Sequence, residues 1–169
     1  MHTLWVRLNA VVFFGFTVLL VLAGLTAFST YLHEGEPIVK KLALRDLRSL
    51  RVLQGTDRAM LTFDLDADLR AAFNWNIKQL FVFVTAEYET PTNVLNQVIL
   101  WDKVVESEQD AVIRQEDKLV KYALIDQKAE LRNTSVQLHL NWDHMPLTGR
   151  LYMHKTPMEV FQLPGAYKR

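Results

Sequence analysis

The chain opens with an apolar run that has no polar face. Residues 8–32 contain no charged side chain and are dominated by leucine, valine and phenylalanine. A helix needs about 20 such residues to cross the hydrocarbon core of a bilayer, so this run predicts a membrane-spanning helix. A cleaved secretory signal has a shorter apolar region, usually about 7–15 residues, and a buried core helix normally shows a polar face. We therefore expect an uncleaved signal anchor.

A strict alternation of apolar and polar positions follows in residues 61–69. Its polar positions are Thr62, Asp64, Asp66 and Asp68. This period of two predicts a strand with one face in the core and the other in solvent. The three aspartates also suggest calcium, but a calcium-binding helix–loop–helix would need glycine and glutamate at the positions that Leu69 and Trp75 occupy. We expect a solvated face here rather than a metal site.

Two apolar runs in the middle of the chain predict a hairpin. Residues 79–86 are almost all apolar, and many are aromatic or β-branched, which favours a strand buried on both faces. Pro91 lacks an N–H donor and has a fixed φ, so this strand should end before it. Residues 94–105 form the second run. We predict a strand there too, although its apolar residues also fit helical spacing.

Shorter patterns in the rest of the chain complete an all-β domain. Residues 39–52 predict a strand, although they also fit a short helix, and His139 falls on the polar face of its predicted strand. Several short strands, frequent turn signals and no long amphipathic helix predict a two-sheet antiparallel sandwich, preceded by a single N-terminal transmembrane helix. The other predicted segments are strands at 121–125 and 136–142, an exposed loop at 106–118, and a last hairpin within 151–161.

The composition removes several function classes. The 169 residues include 19 basic and 19 acidic side chains and no cysteine. A net charge of zero gives no general attraction to nucleic acid or to anionic lipid. Without cysteine the chain has no disulfide framework and no thiolate chemistry, so its domain depends on the burial of apolar side chains.

The middle of the chain also resembles a known family. Residues 73–88, FNWNIKQLFVFVTAEY, and residues 93–105, NVLNQVILWDKVV, are similar to the central segment of signal peptidase complex subunit 3. The likeness extends to LTFDLDADL at 61–69 and to RNTSVQLHLNW at 132–142. Members of that family are accessory subunits of the endoplasmic reticulum signal peptidase, with one membrane span and a lumenal domain.

The resemblance implies a function and a set of partners. It implies a non-catalytic subunit that stabilises or positions the catalytic serine protease subunit, which removes signal peptides from nascent secretory and membrane proteins. The implied partners are the catalytic and other subunits of the signal peptidase complex and membrane lipid, in proximity to the translocon, with no cofactor and no nucleic acid. Trp75, Tyr88 and Trp101 are candidates for contacts with a partner, although they suit the core or rim of the fold as well.

The charges that flank the apolar run predict its orientation. Arg7 precedes the run, whereas His33, Glu34 and Glu36 follow it, and positive residues stay on the cytoplasmic side. We therefore expect a single-pass type II protein of the endoplasmic reticulum membrane. It would comprise a short cytoplasmic N-terminus at residues 1–7, a transmembrane signal-anchor helix at 8–32 and a lumenal β-sandwich domain at 33–169.

One motif predicts a covalent modification. Asn133-Thr134-Ser135 is an N-glycosylation sequon with no proline in its middle position. A predicted lumenal location, polar neighbours and a position just before a strand all favour glycosylation of Asn133. The resemblance implies the same, because a sequon aligns here in the family.

The spacing of the remaining polar residues indicates no catalytic site. Ser49 lies among arginines and Ser107 lies in a charged stretch, and neither has a histidine or lysine partner at a suggestive spacing. No metal-ligand cluster or phosphate-binding glycine loop stands out. Two alternatives to the family function remain: a membrane-anchored sandwich that binds a ligand or cargo unrelated to proteolysis, and a hydrolase with an unrecognised serine dyad.

Overall fold

The computed structural model describes residues 3–30, 32–33 and 35–168, and its first element is the helix α1, Leu4–Thr30. None of the residues of α1 is buried, and the helix is long and apolar enough to cross a membrane. Its 27 residues reach about 40 Å, which exceeds the thickness of a hydrocarbon core. Glu34, which contributed to the predicted orientation, lies outside the described residues.

After α1, the described part of the chain forms eight strands and two short 3₁₀ turns. The 3₁₀ turns, Arg70–Ala72 and Glu108–Ala111, precede the third and fifth strands. The strands are β1 (Ile38–Leu53), β2 (Thr56–Asp68), β3 (Ile77–Tyr88), β4 (Asn96–Val105), β5 (Val112–Leu119), β6 (Leu124–Asp126), β7 (Ser135–Pro146) and β8 (Tyr152–Gln162).

The strands make two antiparallel sheets. In the first sheet β2 lies between β1 and β5, and β6 also pairs with β2. The second sheet has the order β4-β3-β7-β8. The predicted all-β, two-sheet antiparallel sandwich behind an N-terminal apolar helix is therefore confirmed. The ambiguous runs at 39–52 and 94–105 are both strands, β1 and β4.

The core lies between the two sheets and is built from alternate residues of their strands. The rings of Phe63 and Trp101 meet edge to face across the sandwich, with 6.1 Å between their centroids. Burial of each large apolar side chain contributes about 1.5–3 kcal/mol to folding. The central strands supply side chains that are almost wholly inaccessible, among them Leu61, Phe63 and Leu65 of β2 and Leu80, Val82 and Val84 of β3.

The paired strands β3 and β7 define the two ends of the sandwich. Ile77 pairs with Pro146 at one end, and Tyr88 pairs with Val136 at the other. At a rise of about 3.3 Å per residue, these ends lie about 36 Å apart. The end at Ile77 is called the junction end below, because α1 meets the sandwich there, and the end at Tyr88 is called the distal end.

The exposed loop predicted at residues 106–118 is wrong in its second half. Val112–Leu119 is the strand β5, in which Ile113 pairs with Ala67 of β2 and is buried. Most of the other side chains of β5 are charged and exposed, so no apolar alternation reveals this strand in the sequence. The apolar run at 121–125 becomes the three-residue strand β6, shifted toward Asp126.

The hairpin predicted within residues 151–161 is also wrong, because Tyr152–Gln162 is the single strand β8. Pro157 lies inside β8, opposite His139 and next to an irregularity in the register. Proline removes a backbone donor, which is tolerated here because β8 is the last strand of its sheet.

Candidate functional site

The junction end is fastened to α1 by the side chain of Asn76, which is almost wholly buried. Its Nδ2 donates hydrogen bonds to Thr30 Oγ1 in the last turn of α1 (3.0 Å) and to the carbonyl oxygen of Thr148 (2.8 Å). Its Oδ1 accepts from the backbone N–H and the hydroxyl of Thr148 at 3.1 and 3.2 Å. One carboxamide thus joins the helix, the start of β3 and the turn between β7 and β8.

Further contacts hold the same end of the sandwich against the helix. Trp75 Nε1 donates to Ser29 Oγ at 3.1 Å, although the Trp75 ring remains 61% exposed. Gly149 lies in the β7–β8 turn with φ of 106°, and a Cβ there would lie 3.4 Å from the Cβ of Ala27. Local sequence patterns do not reveal these partners, because they lie in distant segments.

A group of aromatic and histidine side chains lies beside the junction, on β7 and β8. The rings of His144 and Tyr152 stack with 4.3 Å between centroids, and His154 stacks on Trp142 at 5.7 Å. Burial, reinforced by the nearby His154, lowers the pKa of His144 to about 4. In the described ranges no three His, Cys, Asp or Glu side chains are placed to hold a metal ion.

The three aspartates of the alternating run in β2, Asp64, Asp66 and Asp68, each pair with a cation of this chain. Asp64 is buried rather than solvated, and it accepts from Lys41 Nζ at 2.7 Å and from the Asp117 N–H at 3.0 Å. The hydrogen bond from Lys41, followed by that from Asp117, lowers the pKa of Asp64 to about 2. Asp68 binds Arg70 through two nitrogens, and Asp66 lies 3.7 Å from Arg114. The solvated face predicted for Asp64 is therefore a set of ion pairs.

The second sheet has an outer face, turned away from the core, that carries an apolar cluster beside polar side chains. The rings of Phe81 and Phe83 on β3 stack there with 5.3 Å between centroids, and both remain partly exposed. Ile99 and Val104 of β4 share this face by register and are 42% and 44% exposed. These four residues are called the outer apolar patch below. A patch of this kind is typical of a protein–protein contact.

Polar side chains on the same outer face are buried and paired with one another. Asn141 Nδ2 donates to Thr85 Oγ1 at 2.9 Å, and His139 Nε2 lies 3.2 Å from a carboxylate oxygen of Glu87. Burial lowers the pKa of His139 and outweighs the opposing attraction of Glu87. His139 does lie on the outer face, as predicted, but it is packed rather than solvated.

The sequon lies at the distal end, in the loop that leads into β7. Asn133 is exposed and has a φ of 56°, and Thr134 closes the turn through its N–H to the Leu131 carbonyl at 3.2 Å. The Asn133 carboxamide lies over Gly165, where a Cβ would come within 2.8 Å of Asn133 Oδ1 and would displace this flexible side chain. The structure thus presents the predicted acceptor side chain at the surface, at the end far from α1.

Two buried carboxylates shape the loop that carries the sequon. Asp126 Oδ2 accepts from the N–H groups of Lys128 and Glu130 at 3.1 and 2.9 Å. Asp57 Oδ2 accepts from the Leu131 N–H at 3.1 Å, while its other oxygen accepts from the Tyr167 hydroxyl at 3.0 Å. The backbone before Asn133 is therefore fixed by charge-assisted hydrogen bonds, which are roughly twice as strong as neutral ones.

The candidate serines take part in no dyad within the described residues. Ser49 is buried on β1, and the Ser107 hydroxyl donates to Asp110 Oδ2 at 2.8 Å. Neither hydroxyl bonds a histidine or lysine side chain in the part of the chain the structure covers. Of the aromatic residues proposed for partner contacts, Tyr88 and Trp101 are buried in the core, and Trp75 is exposed at the junction.

The outer apolar patch is the surface that the sequence alone does not assign to a partner. The run at 79–86 was expected to be buried on both faces, and only the face that carries Val82 and Val84 is fully covered within this chain. The sequence does indicate this surface indirectly, because an apolar run without alternation is typical of a strand whose two faces are both covered.

Comparison with known proteins supports one relationship along almost the whole chain. A family described as signal peptidase subunit matches residues 1–166. Signal peptidase complex subunit 3 of Dictyostelium discoideum is 34% identical over 100% of this chain and 98% of its own length. The proteins of that name from Drosophila melanogaster and Homo sapiens are 34% and 33% identical, over 99% and 89% of this chain and 97% and 87% of theirs. The family match includes both α1 and the sandwich.

Proposed function

This chain belongs to the signal peptidase subunit family, and we propose that it is a non-catalytic accessory subunit that stabilises or positions the catalytic serine protease subunit for signal peptide removal. Its relatives are named as subunit 3 of the signal peptidase complex. The partners proposed for this chain are therefore the catalytic and other subunits of such a complex.

The outer apolar patch is the observation that carries this proposal. Phe81 and Phe83 stand on a central strand, and Ile99 and Val104 extend the same surface to the neighbouring strand. The core already lies on the opposite side of the sheet, so these side chains gain nothing for folding by facing water. A partner that covered them would remove apolar area from solvent at about 25 cal/mol per Å². We infer that the lumenal part of another subunit packs on this face.

The junction gives such a contact a defined place relative to the membrane. Asn76 and Trp75 bind the last turn of α1 directly, so the sandwich does not hang from a free linker. A subunit bound to the outer face would then be held at a constant distance from the bilayer. This arrangement suits a protease whose substrates emerge from the membrane, and it supports a role in positioning.

The proposed topology follows from the helix and its flanking charge. Residues 1–7 would lie in the cytoplasm, residues 8–32 would span the endoplasmic reticulum membrane, and residues 33–169 would be lumenal, near the translocon. Arg7 is the positive residue that keeps the short N-terminus cytoplasmic. Glycosylation of Asn133 belongs to the same proposal, because that asparagine is exposed at the distal end.

Affinity isolation from membranes in a mild detergent tests the proposed partnership. The eluate should contain the catalytic chain of a signal peptidase in an amount comparable to this subunit. If the folded chain is recovered without any signal peptidase subunit, the accessory role is wrong and a free binding or cargo module becomes the better account.

Reconstitution of the complex tests whether the chain itself takes part in catalysis. Variants Ser49→Ala and Ser107→Ala, each assembled with the other subunits, should cleave a preprotein at the unaltered rate. A loss of cleavage of several orders of magnitude in either variant would instead reveal a hydrolytic residue in this chain.

A further inference from the structure

We propose that the β7–β8 turn, residues 147–151, docks on the surface of the bilayer beside α1 and binds phospholipid there. The proposal rests on the proposed function in one respect, since it takes α1 as a membrane span. It adds a lipid contact made by the sandwich itself, in the leaflet that faces the sandwich.

The depth of the turn follows from counting along α1. Arg7 is charged and stays at the far interface, and about 20 helical residues beyond it cross the hydrocarbon core. The near boundary of the hydrocarbon therefore falls close to Ala27, the residue that Gly149 approaches. Asn76 binds Thr30, which lies about 4.5 Å further along the helix axis. The turn thus reaches deeper toward the membrane than the rest of the junction.

The side chains of the turn have the chemistry of a membrane interface. Leu147 and Leu151 are 66% and 61% exposed, and they flank Arg150, which is also exposed. Among the residues that the structure describes, Arg150 makes no ion pair, hydrogen bond or ring contact. Leucines can enter the boundary between headgroups and acyl chains while an arginine meets lipid phosphate.

The neighbours of the turn support the same partner. Trp75 stands at the same end of the sandwich, exposed and bound through its N–H to Ser29, and tryptophan is enriched at membrane interfaces. A cavity of about 390 Å³ lies between the turn and α1 and is lined in part by Ala27, Thr30, Thr148 and Arg150. Ala27 and Thr30 form its α1 side, so the cavity borders on the helix that lipid would surround.

Lipid is favoured over a protein partner because the turn and the cavity lie directly against the end of α1. A subunit that covered Leu147 and Leu151 would have to displace lipid from the end of α1 and still supply an anion for Arg150. Bilayer phospholipid provides acyl chains and phosphate at the required depth without any further component.

Site-directed spin labelling of the full-length chain in phospholipid nanodiscs tests the proposal. The chain has no cysteine, so single-cysteine variants need no background substitution. Labels at Leu147→Cys and Leu151→Cys should lie within about 5–10 Å of the headgroup boundary, on the acyl side. Oxygen should therefore relax these labels more than a water-soluble nickel complex does. A label at Val94→Cys, 83% exposed at the distal end, should show the reverse preference.

A label at Leu19→Cys, in the middle of α1, separates the two ways in which the experiment can fail. If the Leu19 label is not in the hydrocarbon, α1 does not span and the proposed anchor is wrong. If the Leu19 label is deep and both turn labels behave like the Val94 label, the docking of the turn is wrong by itself. Turn labels shielded from both oxygen and nickel would also overturn it, because they would be buried in protein. Circular dichroism of each labelled variant verifies that the sandwich is folded.

Discussion

Asn76 and Thr30 are 46 residues apart in the chain and are joined by a hydrogen bond of 3.0 Å between their side chains. Thr30 is the last residue of α1, and Asn76 immediately precedes the central strand β3. The covalent connection between helix and sandwich runs through residues 31–37, so this bond makes a second, shorter connection. The orientation of the sandwich on its helix is therefore set by a buried polar contact as well as by a linker.

Substitution of Asn76 by alanine should destabilise the sandwich. It leaves the N–H, the hydroxyl and the carbonyl oxygen of Thr148 without these partners in a partly buried place, which costs about 1–3 kcal/mol, whereas the Thr30 hydroxyl keeps its bond to the Thr26 carbonyl. Chemical denaturation of the full-length chain in detergent, followed by tryptophan fluorescence, measures the loss. Asn93→Ala is the matched control, because Asn93 is an exposed turn residue, and it should change stability by less than about 0.5 kcal/mol. Equal losses in the two variants would contradict a special role for Asn76.

Substitution of Val104 by aspartate should weaken assembly without unfolding the chain. Val104 belongs to the outer apolar patch and is 44% exposed, so a charge is tolerated in the free subunit but is desolvated under a partner. We expect recovery of the catalytic chain in affinity isolation to fall at least about tenfold, as an interface loss of about 1.4 kcal/mol or more requires. Val52→Asp, on β1 and 49% exposed, is the control and should leave recovery unchanged. The patch is not an interface if both variants assemble normally.

Stability should fall as the pH decreases from about 6.5 toward 4, because burial lowers the pKa of His144 to about 4. The unfolded chain binds a proton at this residue near pH 6.5 and the folded chain does not until about pH 4, so acidification favours unfolding over that interval. His144→Phe keeps a ring against Tyr152 and removes the titration. The unfolding free energy of His144→Phe should fall less over the same interval than that of the wild-type chain. The difference between the two falls should be on the order of 2–3 kcal/mol.

Denaturation curves at several pH values measure this difference directly. Some slope should remain in His144→Phe, because burial also lowers the pKa of His139. Parallel curves for the wild-type chain and the variant would show that His144 does not carry the effect.

Glycosylation of Asn133 should appear as a mobility shift that an endoglycosidase removes. The shift should be lost completely in Asn133→Gln and in Ser135→Ala, because both variants destroy the sequon. Thr134→Ala changes the middle position only, giving up the hydrogen bond from Thr134 Oγ1 to the Glu130 carbonyl, and should keep the shift. A wild-type chain from membranes that shows no shift would mean that Asn133 is not modified.

The strands of the sandwich could be predicted from the sequence where burial imposes a clear apolar pattern on their side chains. Residues 61–69 alternate strictly, and all of them except Leu69 lie in β2, in the middle of the first sheet. The strands at 79–86 and 94–105 were found because valine, phenylalanine and a proline-containing turn mark their limits. β5 was missed because its outward positions are charged and few of its residues face the core.

The site could not be predicted because its contacts join distant segments. Asp64 is bound by Lys41 from the neighbouring strand, 23 residues away, and nothing in the local pattern of β2 distinguishes it from Asp66. The carboxamide of Asn76 binds Thr148, which is 72 residues further along the chain. Only the pairing of strands brings such groups together, and that pairing does not follow from local periodicity.

Because β3 pairs with β7 along the length of the sandwich, the position of a residue on β3 gives its distance from the junction end, where α1 lies. Each step along β3 advances about 3.3 Å, so Phe81 and Phe83 lie about 13 and 20 Å from Ile77, and Glu87 lies about 33 Å away. A cleft on a neighbouring chain that binds the two phenylalanines must therefore lie at the same distance from the junction end. Distance from the membrane helix, as well as affinity, would then determine which neighbouring proteins can bind this surface.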